Sequence, residues 1–482
     1  MSDSERPPAS HVDEFERQAV PPGKLKGLRS FLGMYAGEHV AGTEFMIGPL
    51  FLAAGVSVFD LLVGLLVGNL LAVASWTFIC APIATRVRLT LYFKLEKICG
   101  VRLVTLYNLA NGILFCFLAG AMVTVSATAV GVPFNMTMPG LNDWLPNSLT
   151  WVVAVLVVGT IIAVVAAKGY DAVARVANVA APWMILVFLA CGIVALPQLG
   201  VHSLRDFWSV AGERIWTGGE PLPGQVKFTF WHVMFFAWFC NAAMHMGMAD
   251  LTIFRYARKW QYGACSAAGM FVGHYMAWIS ASMLYALLLA RSAWTHASLT
   301  DPPAVAPGPM AYEAVGIAGL ICVIVAGWTT ANPTIYRAGL AFQAILPTSS
   351  RFMVTLIAGG IATLAALFPA LAMKLLGFVG LYGTILMPMG AIIFVDFYLL
   401  ERFGLKSDYA EISRSSFNLA AGGAWFLALL VCALLNRFAG VQIYFLALPG
   451  WIMAGVFYLV FSHFVQRPAL LSIPATSSTR SP

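Results

Sequence analysis

Residues 33–55 read GMYAGEHVAGTEFMIGPLFLAAG, and this stretch decides the fold. At 1.5 Å per residue it reaches about 34 Å, enough to cross a hydrocarbon core of about 30 Å. Yet Gly33, Gly37 and Gly42 precede its midpoint, and Glu38, His39 and Glu44 lie inside it. Carboxylates and imidazoles are costly in hydrocarbon, so they face a cavity or a partner and mark a pathway. A span that is apolar at both ends and broken by glycine between them reads as a discontinuous helix. Its freed backbone groups can hold an ion or a solute.

The rest of the chain has the same character. Of 482 residues, 60% are hydrophobic and 10% are charged, against about 25% charged in a soluble domain. Apolar runs of 18 or more residues recur throughout, which makes this an all-α polytopic membrane protein embedded in a lipid bilayer. The formal charge of +7 does not point to nucleic acid, because the basic residues sit at helix ends. The eight cysteines are scattered through apolar runs without a CxxC pair, as expected of small core residues. No HExxH, GxSxG or paired Cys/His ligand set is present, so no enzyme chemistry, catalytic residue or resident cofactor is expected.

Twelve spans are expected, near 31–55, 59–81, 103–131, 149–167, 176–196, 228–250, 262–290, 313–341, 352–370, 376–400, 418–436 and 441–465. Residues 1–30 and 467–482 read as cytoplasmic tails, and an even count puts both on one side. Six of the 28 Lys and Arg then fall in outer loops: Arg205, Arg214, Lys227, Arg291, Lys374 and Arg437. The remaining 22 fall inside, as the positive-inside rule requires of a cell (inner) membrane protein. Residues 86–102, RVRLTLYFKLEKICGVR, mix aromatic, apolar and basic side chains and read as an interfacial helix.

The sixth span, FTFWHVMFFAWFCNAAMHMGMADL, resembles the first: Asn241, His245, Gly247 and Asp250 interrupt an apolar run. Two broken helices five spans apart imply a five-plus-five inverted repeat, residues 31–196 against 228–400. That leaves the last two spans, within 401–466, outside the repeat. Unwinding is expected near 37–42 and 243–248. The eighth span supplies a third signal, VAGWTTANPTIYRAG at 325–339. Thr329 and Thr330 are adjacent hydroxyls one turn after Ala326, and hydroxyls with free carbonyls suit a dehydrated cation. Arg337 reads as the inner end of that span. Glu38, His39, Glu44 and His245 offer a competing proton route.

The residues resemble the nucleobase–cation symporter family of the purine–cytosine permease type, which includes cytosine permease and the hydantoin transporter. The resemblance runs over about residues 30–405 and rests on four places. IGPLFLAAGVS…GLLVGNLLA carries Gly48, Gly55, Ser57, Gly64, Gly68 and Asn69 in the family's spacing. KGYDAVARVANVAAP enters the fifth helix with Arg175 and Pro182. DLTIFRYARK leaves the sixth, and PMGAIIFVDFYLLER ends the tenth with Pro388, Gly390, Asp396 and Tyr398.

The resemblance implies a leucine-transporter-type fold and symport of a small nitrogen heterocycle with a cation by alternating access. The heterocycle would be a nucleobase, hydantoin, allantoin or a related compound. It implies a sodium site of Ala326, Thr329 and Thr330 with helix 1 carbonyls near Gly37 and Val40. It also implies a solute site including Phe115, where the family has a stacking Trp, and Ala119, where the family has a polar residue. Asn332 follows Ala331, which stands where the family has Asn. The sixth helix aligns in two registers, leaving Trp238 and Asn241 as alternative wall residues. Glu38, His39 and His245 are further solute-binding candidates, and Glu44 and Asp250 are coupling candidates. The alternatives are a proton-coupled permease for another small polar solute and a channel-like or sensory relative.

Overall fold

The computed structural model describes residues 14–140, 143–298 and 300–471. The first thirteen and last eleven residues of the two expected tails lie outside the described residues. Within the described residues, nine helices are long and apolar enough to cross a membrane. Three apolar helices are shorter: Glu44–Ala53, Phe230–Phe239 and Arg351–Ala366. They fall in the first, sixth and ninth expected spans, so helix length alone counts nine rather than twelve.

The first span is two helices, α1 (Leu28–His39) and α2 (Glu44–Ala53), separated by residues 40–43. Span 2 is α3 (Val58–Ser75), which continues through a wide π turn at Trp76–Cys80 to Val87. The interfacial stretch contains α4 (Leu91–Cys99). Spans 3, 4 and 5 are α5 (Val101–Gly131), α6 (Leu149–Ala167) and α7 (Tyr170–Gln198). Span 6 is α8 (Phe230–Phe239) followed by the single turn α9 (Ala242–His245). Span 7 includes α10 (Met276–Arg291), entered through a π-helical stretch, Ala268–Tyr275. Then come α11 (Ile317–Ile345), α12 (Arg351–Ala366), α13 (Leu375–Tyr398), α14 (Leu419–Ala439) and α15 (Ala447–Leu471).

The packing follows the inverted repeat. α2 packs on α10, and α8 packs on α3. Exchanging span n for span n + 5 turns one of these contacts into the other. The exchange maps α5 against α11, and α6 against α12, onto themselves. Small residues permit the close approaches. A side chain at Gly48 would strike the Trp278 carbonyl, one at Gly64 would strike Val233, and one at Gly68 would strike the Met234 carbonyl.

The breaks are displaced from where sequence placed them. The chain stays helical through Gly37 and His39 and opens at 40–43, where a side chain on Gly42 would crowd Val125 of α5 and the Val323 carbonyl of α11. In span 6 the helix opens at 240–241 and again at 246–250, where Met248 takes a φ of 63°. The freed carbonyls find partners as hydrocarbon demands. Trp451 Nε1 donates to Met246 O at 3.1 Å, and the Tyr382 hydroxyl donates to Cys240 O at 3.2 Å.

Residues 14–27, read from sequence as tail, are strapped across one end of the bundle. Val20 N donates to Arg88 O, Lys26 N to Tyr256 O, and Tyr170 N to Glu14 Oε1. Arg255 is among the 22 basic residues that the sequence count assigns to the inner side. It is fully buried and donates to Phe15 O and to the Tyr256 and Tyr336 hydroxyls. At the same end, Lys94 of α4 meets Asp396 at 3.3 Å and Asp408 at 2.5 Å, and Tyr458 donates to Asp396. Burial opposes the charge on Lys94, but the two carboxylates outweigh it and its pKa is raised.

Candidate functional site

Where the two breaks meet, the chain collects its buried charge. Arg337 of α11 is fully buried and pairs with Glu38 at 2.5 Å and with Asp250 at 2.6 Å. Its NH1 and NH2 reach both Glu38 oxygens. Asp250 also accepts from the Tyr35 hydroxyl at 2.5 Å and from Trp76 Nε1 at 2.7 Å. The Tyr92 hydroxyl, from α4, donates to Arg337 O at 2.8 Å. Arg337 is thus not the end of its span. α11 runs straight through Pro333 to Ile345, and the basic count inside falls by both Arg255 and Arg337 without changing its sign. The triad joins α1, the end of span 6 and α11, and it carries two carboxylates against one guanidinium.

Beside the triad lies the hydroxyl pair. Thr330 Oγ1 donates to Glu38 O at 2.7 Å and lies 3.1 Å from Ala326 O, which also accepts from Thr329 Oγ1 at 3.1 Å. The helix 1 carbonyl that meets Thr330 is therefore that of Glu38, between the expected Gly37 and Val40. Carbonyl and hydroxyl oxygens from the two repeats converge here.

A cavity of about 40 Å³ sits between the breaks. Its wall includes Glu38, His39, Thr43 and Glu44 from span 1, Leu118 and Met122 from α5, and Asn241 and Met244 from span 6. His274, Thr330, Thr334, Val379 and Tyr382 complete much of it. That volume suits one or two water molecules, so a heterocycle enters only after the helices part.

On the α2 side of the cavity stands a second polar group. Trp278 Nε1 donates to Glu44 Oε2. His274 stacks on Trp278 with ring centres 4.2 Å apart and meets His39 edge-on at 5.1 Å. His39 Nδ1 lies 2.8 Å from Tyr35 O, which can only accept, so Nδ1 carries the hydrogen and Nε2 presents a lone pair. The π-helical entry to α10 brings His274 this close. Side chains at Gly269 and Gly273 would collide with the His39 ring and backbone. Wide turns of this kind recur at functional sites.

Of the sequence candidates, Glu38, His39, Glu44, Asn241 and Thr330 share the cavity wall. Phe115 and Ala119 are buried on α5 but do not line it; the α5 wall residues are Leu118 and Met122. Phe115 packs edge-on against Tyr382 with centroids 6.1 Å apart, one layer back. Trp238 is turned to α3, stacked on Phe239 and donating to Ser75. His245 lies against Trp76 at 4.6 Å and is bonded to Trp238 O, behind the wall. Asn332 is buried on α11 outside the wall, its Oδ1 without a partner. Among the described residues no cluster of three His, Cys, Asp or Glu could hold a metal.

Sequence reasoning missed Arg337, His274, Trp278, Tyr35 and Tyr382. For Arg337 the signal was present: two intramembrane acids at matching depth call for a base. His274 and Trp278, four residues apart, share one face of span 7.

The fold is that of the leucine-transporter-type membrane transporters. One similar structure is Mhp1, a nucleobase–cation-symport-1 family transporter, in a closed conformation with bromovinylhydantoin bound. Its TM-score is 0.69 at 16% identity over 95% of this chain and 96% of that one. Mhp1 facing inward gives 0.66 at 15% identity over 94% and 95%. A Na+-coupled sialic acid symporter in a substrate-bound outward-open state gives 0.64 at 13% identity over 94% and 92%. No family model and no curated protein matches the chain.

Proposed function

We propose that the protein is a secondary transporter of the cell membrane that takes up a small nitrogen heterocycle together with sodium by alternating access. Both termini lie in the cytoplasm on this reading, supported by the excess of Lys and Arg in the loops on their side. The observation that carries it is the Thr330 hydroxyl bonded to Glu38 O at the break of the first span, with Ala326 O and Thr329 beside it. A sodium ion there takes its ligands from both repeats and ties α1 to α11. It favours one arrangement only through its greater affinity for that arrangement. The electrostatics agree, since the triad holds the Glu38 and Asp250 carboxylates against the single Arg337 guanidinium and is short of positive charge.

One observation favours a second reading, proton coupling. Glu44 lines the cavity, and among the described residues no basic side chain pairs with it. Both Glu38 oxygens, by contrast, are engaged by Arg337. Uptake by proteoliposomes of labelled purines, pyrimidines, hydantoins and allantoin tests the class. Saturable accumulation driven by an imposed ion gradient is expected. Linear, gradient-independent flux would indicate a channel instead.

A further inference from the structure

The cavity wall is unevenly satisfied. On one side both Glu38 oxygens are engaged by Arg337, which pairs with Asp250 behind the wall. On the other side Glu44, His39 and His274 are each 3% exposed, yet His39 Nε2 and His274 Nδ1 have no partner. Buried polar atoms without partners are rare and need a reason. His39 Nε2 can only accept in the neutral ring, as its Nδ1 hydrogen is taken by Tyr35 O. His274 Nε2 faces the Asn241 amide nitrogen at 3.5 Å, which leaves the hydrogen on Nδ1. Glu44 keeps acceptor capacity beyond the single bond from Trp278, because a carboxylate offers about four lone-pair directions.

We propose that Glu44 is the specificity-determining residue, and that the solute is a planar nitrogen compound presenting two adjacent N–H donors to its carboxylate. This inference rests on the heterocycle reading above and narrows it. A carboxylate sets two acceptors side by side in one plane, and its complement is a parallel pair of donors, as in an amidine or a 2-amino-4-oxopyrimidine. His39 Nε2 accepts a further N–H, and His274 Nδ1 donates to a ring carbonyl. The stacked His274–Trp278 pair holds the carboxylate and the imidazole in fixed relation. A heterocycle with a donor beside an acceptor, such as uracil, sets its carbonyl against the Glu44 oxygens and is rejected.

The test uses the purified full-length protein in sodium-containing buffer, titrated calorimetrically with isocytosine, cytosine and uracil. Wild type is expected to bind isocytosine at least about tenfold more tightly than uracil, as the cost of setting a carbonyl against a buried acceptor implies. Glu44→Gln replaces one acceptor with a donor, so its order should reverse in favour of uracil. Glu44→Asp keeps both acceptors and should keep the wild-type order, which covers the case in which the Gln variant does not fold. Wild type binding uracil as well as isocytosine, or a Glu44→Gln variant with unchanged order, overturns the role of Glu44 and leaves the heterocycle reading standing. Binding of none of the three, together with uptake of none of the labelled heterocycles, overturns that reading and this inference with it.

Discussion

The two polar layers at the centre of the molecule differ in how they are satisfied. Glu38, Asp250 and Arg337 form a closed set: both carboxylates pair with the one guanidinium, and Tyr35, Trp76 and Tyr92 complete the bonds. Glu44, His39 and His274 form an open set, equally buried but with ring nitrogens left over. A closed set resists change and fixes how α1, the end of span 6 and α11 meet. An open set is less stable alone and gains by binding something, so stability belongs to the first layer and recognition to the second.

The largest expected effect breaks the closed layer. Arg337→Met strands two carboxylates in the interior and should cost about 3–5 kcal/mol, the scale for removing one partner of a buried pair. Thermal unfolding of the purified protein measures it, and adding Glu38→Gln and Asp250→Asn should restore much of the loss. If the single variant unfolds like wild type, the triad is not closed as described.

Next is Gly273→Ala, which drives a methyl group into the His39 backbone. Overpacking of this kind costs about 1–3 kcal/mol, and it should impair uptake by prising His274 away from His39. Normal uptake in this variant would show that the close approach of α10 is irrelevant to the open layer. Glu44→Gln should do the opposite to stability. It replaces a buried carboxyl that no basic side chain pairs with, so its melting temperature should equal or exceed that of wild type. A fall like that of Arg337→Met would erase the distinction between the layers.

Phe115→Leu should do little to either layer, since the ring does not line the cavity and packs against Tyr382, which does. A loss within about 1.5 kcal/mol is expected from such a swap, with the Michaelis constant nearly unchanged. A large rise in that constant would return the ring to the solute site. Smallest of all, Lys97→Ala removes an exposed pair with Glu411 and should cost at most about 1 kcal/mol.

How far sequence could reach depended on the kind of signal. The broken helices were legible because Glu38, His39, Gly42 and Asp250 are foreign to an apolar run. Their inverted relation followed from spacing, and the exchange of α2–α10 for α8–α3 contacts agrees with it. Exact break points were not legible, because the neighbours that Gly42 meets, Val125 and the Val323 carbonyl, are both distant in sequence. Arg337 was misplaced because Pro333 and a basic residue together look like the end of a span, whereas tertiary packing carries α11 onward. The wall of α5 was misassigned because Phe115, Leu118, Ala119 and Met122 crowd one face, and only neighbouring helices decide which meets the cavity.

The most direct test of sodium coupling at the junction of the repeats is uptake of the identified solute with sodium replaced by choline. pH and membrane potential are held fixed, and wild type is compared with Thr330→Ala and Thr330→Ser. The account predicts that choline cripples wild-type uptake, that Thr330→Ala no longer responds to sodium, and that Thr330→Ser does. Uptake that ignores sodium in the wild type, follows a pH gradient and collapses in Glu44→Gln would contradict it.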